Sequence, residues 1–172
     1  MKPIITYNFS TWALTQSELD RLDAFHRRQL RAVIGVRYPD KISNEDLYDR
    51  TKSVPLSHEL FQARWRMLGH VLRMNSELPA KEAMSYYFRE EEAGRFRGHP
   101  RTTIATVINK DLGDIFNAAA SKRGRKKATI ASLPKQLVSS ADLCQLESLA
   151  RDRKKWQSII VDAHALLSAK RI

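Results

Sequence analysis

The chain has 172 residues, 42% hydrophobic and 28% charged, with 30 Lys and Arg against 19 Asp and Glu for a net charge of +11. This length and apolar content suit one packed domain, or one domain with an extended arm, and exclude wholesale disorder. No run of 18 apolar residues occurs, which excludes a membrane-spanning helix.

The charge excess is uneven. Residues 1–50 hold 8 basic against 7 acidic side chains, residues 51–100 hold 8 against 6, and residues 101–172 hold 14 against 6. A positive field concentrated toward one end points to a polyanionic partner rather than to general solubility. Cys144 is the only cysteine, so there is no intramolecular disulfide and no zinc knuckle. That usage fits a reducing compartment, nucleus or cytoplasm. MKPIITYNF has neither a long apolar stretch nor a small-residue cleavage site, and does not read as a secretory signal.

Helical periodicity runs through the whole chain. Thr15 and Glu18 form a capping-box pattern, T-x-x-E, in which each side chain can bond the other's free backbone N–H. Leu19, Leu22, Phe25, Leu30, Val33 and Ile34 then recur at three- and four-residue steps, and Gly35 stands where a helix end favours a left-handed residue. A helix over 16–34 buried on that face is expected. Ser43 precedes a short helix near 44–51, whose first turn carries Glu45 and Asp46 at the positive end of the dipole.

A third helix is expected from about Ser57 to Met74. Phe61, Trp65, Leu68 and Leu72 form its apolar row, widened by Leu60, Met67 and Val71, while Arg66, His70 and Arg73 share another face at i, i+4 and i+7. Pro79 opens a shorter helix to about Arg89. A further helix near 102–119 carries Ile104, Val107, Ile108, Leu112 and Ile115. The last helix, or pair of helices, spans Ser140 to about Ala169. Leu143, Leu146, Leu149, Trp156, Ile160 and Ala163 face inward, with Arg151, Lys154 and Lys155 outward. Cys144 is expected as a core thiol, and the three tryptophans as core.

Two irregular stretches interrupt the helices. GRFRGHPRTT at 94–103 sets Arg95, Arg97 and Arg101 in a glycine-rich loop, where main chain and guanidinium forks can approach phosphate. Lys122, Arg123, Arg125, Lys126 and Lys127 place five cations in six positions, which reads as a flexible basic arm over 121–139. The expected fold is therefore all-α: an irregular bundle of about six helices over 1–120 and 140–172, joined by that arm.

Catalytic patterns are scarce. The five histidines lack metal-ligand spacing, and His58-Glu59 begins a zinc-protease pattern that Gln62 breaks. A polymerase palm needs paired carboxylates for two metal ions, and no Asp-Asp dipeptide occurs. Pro39-Asp40 with Asp152-Arg153-Lys154 resembles fragments of a metal-dependent nuclease constellation, 112 residues apart. No cofactor is expected.

Six blocks occur in an order shared with a known family: YNFSTWALT at 7–15, RLDAFHRRQLRAVIGV at 21–36, ISNEDLYDRT at 42–51, ARWRMLGHVLRM at 63–74, GHPRTT at 98–103 and LARDRKKW at 149–156. Together they resemble the region beyond the palm of non-LTR (LINE-type) retrotransposon reverse transcriptases. That family's loop usually reads Gly-Arg-Pro-Arg where this chain has Gly-His-Pro-Arg. The resemblance implies a thumb-following segment of an RNA-directed DNA polymerase that contacts nucleic acid, with the remainder of a reverse transcriptase as a further partner, and it does not imply activity in this chain.

Three function classes follow. The first is a monomeric, non-catalytic module binding RNA, DNA or a hybrid through phosphates. The second is a helical protein-interaction module with an acidic partner, and the third is a metal-dependent nuclease. Without paired carboxylates, pure protein should give no primer extension on an RNA template with Mg²⁺ or Mn²⁺ above a no-protein control. Reproducible extension would reverse the non-catalytic reading.

Overall fold

The computed structural model of the chain describes residues 2–87, 102–121 and 128–168. Among them the protein is all-α, without a strand. A short α1 (Lys2–Ile5) and a 3₁₀ turn (Phe9–Thr11) precede α2 (Gln16–Val33), α3 (Asn44–Thr51) and α4 (Leu56–Leu72). Then come α5 (Pro79–Tyr87), α6 (Ile104–Ser121), the single turn α7 (Ala128–Ala131), α8 (Ser140–Arg151) and α9 (Arg153–Ser168). Seven of these helices reach eight residues, against about six expected, because the last helical stretch breaks at Asp152, whose backbone is extended.

The local signals act as the residues dictate. Thr15 caps α2: its backbone N–H donates to Glu18 Oε2 at 2.7 Å and its side chain accepts from the Glu18 N–H. Those bonds to Thr15 hold the Glu18 carboxyl below its ordinary value. Gly35, at φ 74°, ends the helix, and the Val36 N–H reaches back to Arg31 O at 3.1 Å. Ser43 caps α3 by accepting from the Asp46 N–H at 3.1 Å.

α4 is the central helix, burying ten of its 17 residues. Phe61, Trp65, Leu68, Val71 and Leu72 join Ile108, Leu112 and Ile115 of α6, Leu146 and Leu149 of α8, and Trp156, Ile159, Ile160 and Ala163 of α9 in the main core. The other side of α4 packs Leu56 and Leu60 on Phe9 and Leu19 in a smaller cluster. Trp12 is half-buried there, edge-to-face on Phe9 at 5.2 Å.

Three expectations change. First, α2 does not bury the predicted row: Leu19 is buried, but Phe25 is 43% and Val33 82% exposed, while Asp23 and His26 are buried instead. Asp23 accepts from the Ser57 N–H at 3.0 Å and from its hydroxyl at 2.6 Å. The start of α4 has Pro55 as its N-cap and no side-chain cap of its own, so Asp23 serves as the cap from a neighbouring helix. Satisfying those donors turns Asp23 inward and the Phe25 side outward.

Second, the stretch expected as a flexible arm is anchored over its latter half. Ile130, Leu133 and Leu137 lie in the main core. The Asn109 side chain pairs with both backbone groups of Leu137, accepting from its N–H at 2.8 Å and donating to its carbonyl at 3.1 Å. Gln145 donates to Ser132 O at 2.8 Å. Residues 122–127 lie outside the described residues. Third, Cys144 is exposed, one step around α8 from buried Leu143.

Gly69 marks the closest helix approach. A Cβ built there would stand 2.7 Å from Cδ1 and Cε2 of the Trp156 indole, whose Nε1 donates to Trp65 O at 3.0 Å. Alanine would favour the helix by about 1 kcal/mol over glycine. Displacing the indole costs roughly 1–3 kcal/mol in overpacking, and about 1–3 kcal/mol more if its N–H is left unpaired. Gly69→Ala should therefore lower stability, by about 2 kcal/mol, in denaturant melts. Arg66→Ala, on the exposed face, should stay within about 0.5 kcal/mol. A stabilised Gly69→Ala would mean the indole does not lie against this helix.

Candidate functional site

Four arginines and a histidine gather around the C-terminal half of α4. Arg66 and His70 are exposed on its outer face, and Arg73 is half-buried at its C-terminus. Across from them the chain breaks between α8 and α9, presenting Arg151 and Arg153. Arg66, His70, Arg73, Arg153, Trp156 and Gln157 line one depression. Arg73 and Arg153 also line a second, with Asn75, Ser76, Lys81, Glu147 and Arg151. The two adjoin along Arg73 and Arg153, which line both, and together form a basic groove. Its single acidic lining residue among the described residues, Glu147, is ion-paired with Lys81.

Helix ends position these side chains. Arg73 Nη1 donates to Ala150 O at 3.0 Å, satisfying a carbonyl in the last turn of α8 from α4. Lys81 Nζ does the same for α4, donating to Leu72 O at 2.7 Å while paired with Glu147 of α8. Asp152 starts α9 by accepting from the N–H groups of Lys154 and Lys155 at 2.9 and 3.1 Å. The Asp152 carboxylate considered for a nuclease is thus a helix cap.

Arg153, Lys154 and Lys155 occupy the first turn of α9, which contains no acidic residue. Cations at the positive end of a helix dipole cost a few tenths of a kcal/mol each, so stability alone does not call for them. Lys154 and Lys155 are exposed and do not line the groove. Among the described residues, Arg66 is held only by an exposed bond to Gln62 Oε1 at 3.2 Å.

The structure therefore brings together Arg66, His70, Arg73 and Arg151 from the expected set, and adds Arg153, which shares a turn with the expected lysines. Arg95, Arg97, Arg101, Lys122, Arg123, Arg125, Lys126 and Lys127 lie outside the described residues. His58 and His164, far apart in sequence, meet edge-to-face at 5.1 Å beside Ser168. Burial holds the His164 imidazole below its ordinary value. Among the described residues no group of three or more His, Cys, Asp or Glu is arranged to hold a metal ion, and no helix is long and apolar enough to cross a membrane.

A second polar cluster was not anticipated. Arg64, 2% exposed, faces Asp111 of α6 with Nε 3.5 Å from Oδ2, and Trp65 Nε1 donates to the same oxygen at 3.1 Å. The sequence does carry a signal: Arg64 sits in register with Leu60 and Leu68, and Asp111 with Val107 and Ile115. Burial raises the Asp111 carboxyl to about 6, against the opposing pull of Arg64 and the Trp65 bond. Burial likewise lowers Arg64.

The folded chain holds the Asp111 proton more tightly than the unfolded chain, whose ordinary value is 3.8. This group's contribution to stability is therefore complete below about pH 4 and lost as pH rises through about 6. Between those limits the wild type should lose roughly 3 kcal/mol relative to Asp111→Asn, which cannot titrate. Denaturant melts of both proteins across that range measure the gap. Parallel profiles would return Asp111 to an ordinary carboxylate.

No protein-family model, no curated protein and no solved structure matches the chain.

Proposed function

We propose that the chain is a non-catalytic nucleic-acid-binding module that holds template or primer by phosphate contact, as its resemblance to the post-palm region of non-LTR retrotransposon reverse transcriptases implies. One observation carries most weight: the basic face of α4 and the basic α8–α9 junction line adjoining depressions whose one carboxylate among the described residues is already paired. A row of arginines without competing acids suits a phosphate backbone, since each guanidinium presents parallel donors to two oxygens. Such contacts hold and orient a strand without reading its bases. The basic loop with Arg95, Arg97 and Arg101 and the run from Lys122 to Lys127 extend the same chemistry.

Each phosphate neutralised releases condensed counterion, so log affinity should fall with log salt by about 0.9 per contact on duplex DNA. Replacing Arg66, Arg151 and Arg153 together with alanine should flatten that slope by roughly 3 and leave the melting profile near wild type, because none of the three is buried. Arg73 is left in place for its bond to α8. Scrambling the duplex sequence should change little. Anisotropy titrations at several salt concentrations between about 50 and 200 mM give the slopes. An unchanged slope removes the groove from the binding surface, and no binding at the lowest salt favours an acidic protein partner instead.

A further inference from the structure

The pocket in front of Arg64 lies outside the groove and shares no lining residue with it. Its walls come from four helices: Gln16 and Leu19 of α2, Ser57, His58 and Phe61 of α4, Lys110, Asp111 and Asp114 of α6, and His164 and Leu167 of α9. Arg64 also lines it.

Arg64 is poorly served by the chain. A guanidinium carries five N–H donors, and this one is almost wholly buried. Its one ion pair among the described residues is Asp111, at 3.5 Å, long for a charge-assisted bond, which prefers about 2.7–2.9 Å. The acceptor is shared, because Trp65 Nε1 donates to the same carboxylate oxygen. Among the described residues, Arg64 Nε and Nη1 have no hydrogen-bond acceptor. Asp114 lines the pocket yet makes no ion pair with Arg64. Buried donors are paired in folded proteins with few exceptions, and each exception asks for an explanation.

The surroundings favour an oxyanion as the missing partner. Lys110 stands at the rim, exposed, its ammonium donating to Gln16 Oε1 at 2.9 Å. The lining carries two acidic side chains, Asp111 and Asp114, and two basic ones, Arg64 and Lys110. His58 and His164 add edge-to-face rings, and Leu19, Phe61 and Leu167 supply apolar wall. A cavity of about 370 Å³ admits a small acid and excludes a folded partner. We propose that this pocket binds a small oxyanion, carboxylate or phosphate, with Arg64 as buried anchor and Lys110 as the cation at its mouth.

The Arg64 Nε–H resonance of the full-length ¹⁵N-labelled chain reports directly, assigned by its absence in Arg64→Lys. It is followed while inorganic phosphate, and separately acetate, is added to about 50 mM at constant ionic strength, a range that covers millimolar affinity. A saturable shift with either anion is expected, and the tighter of the two identifies the oxyanion class. Lys110→Glu, at an exposed position that leaves folding intact, should weaken that binding about tenfold. The triple alanine variant at Arg66, Arg151 and Arg153 should leave it unchanged, which separates this pocket from the groove. No saturation with either anion overturns the proposal. So does saturation that Lys110→Glu leaves untouched, or that the groove variant abolishes, since the anion would then sit elsewhere.

Discussion

Trp65 is the residue on which the rest of the structure turns. It has no exposed surface, and its indole N–H and backbone carbonyl both serve other helices. Its indole N–H donates to Asp111 of α6, and its carbonyl accepts from the Trp156 indole of α9. Its ring packs against Phe61 and Trp156, each with centroids 5.7 Å away. A buried indole needs a partner for its N–H, and here each such bond also fixes one helix against another. α6 and α9 are thereby keyed to the same turn of α4 by directional bonds as well as by apolar area. Gly69 is the corollary, because Trp156 can reach the Trp65 carbonyl only where α4 presents no Cβ.

The groove inherits its shape from that core. Trp156 is buried, yet it lines the depression between Arg66 and Arg153, so the indole that locks α9 to α4 also sets how far apart the two basic rows stand. The break at Asp152 performs the other half. An uninterrupted helix would carry Arg151 and Arg153 around one axis. The extended residue between α8 and α9 lets both arginines line the same groove while Leu149 and Trp156 on either side stay in the core. Arg73 holds the junction in place from across the groove.

Much of this was legible in the sequence, and the parts that were not have physical reasons. Thr15, Gly35 and Ser43 announce their caps because those bonds are local. α6, α8 and α9 bury the rows their periodicity marks, because each lies against one apolar surface. α2 misleads because a carboxylate on it serves the N-terminus of α4, 34 residues away, and no pattern within α2 records that need. Residues 128–139 read as an arm from the charge run before them, while the groups that anchor them are two side-chain amides, Asn109 and Gln145, on other helices. The cationic face of α4 was visible by spacing alone. Its meeting with the α8–α9 junction is a tertiary fact.

Net charge overstates the surface available to a polyanion, and the structure shows how. Of the described cations, Arg73 serves the carbonyl of Ala150, Lys81 serves Leu72 and Glu147, and Arg31 bonds Asn44 at 2.8 Å. These side chains are tied to neighbouring parts of the fold, and Arg73 and Lys81 satisfy helix-end carbonyls that would otherwise cost roughly 1–3 kcal/mol apiece. Arg66, Arg151 and Arg153 carry no such duty to a helix-end carbonyl or a buried carboxylate. A cation already engaged must break a bond to meet a phosphate, whereas an exposed one exchanges water for it. On the proposed reading, phosphate contact in the groove would therefore rest on these few arginines more than on the formal charge of the chain.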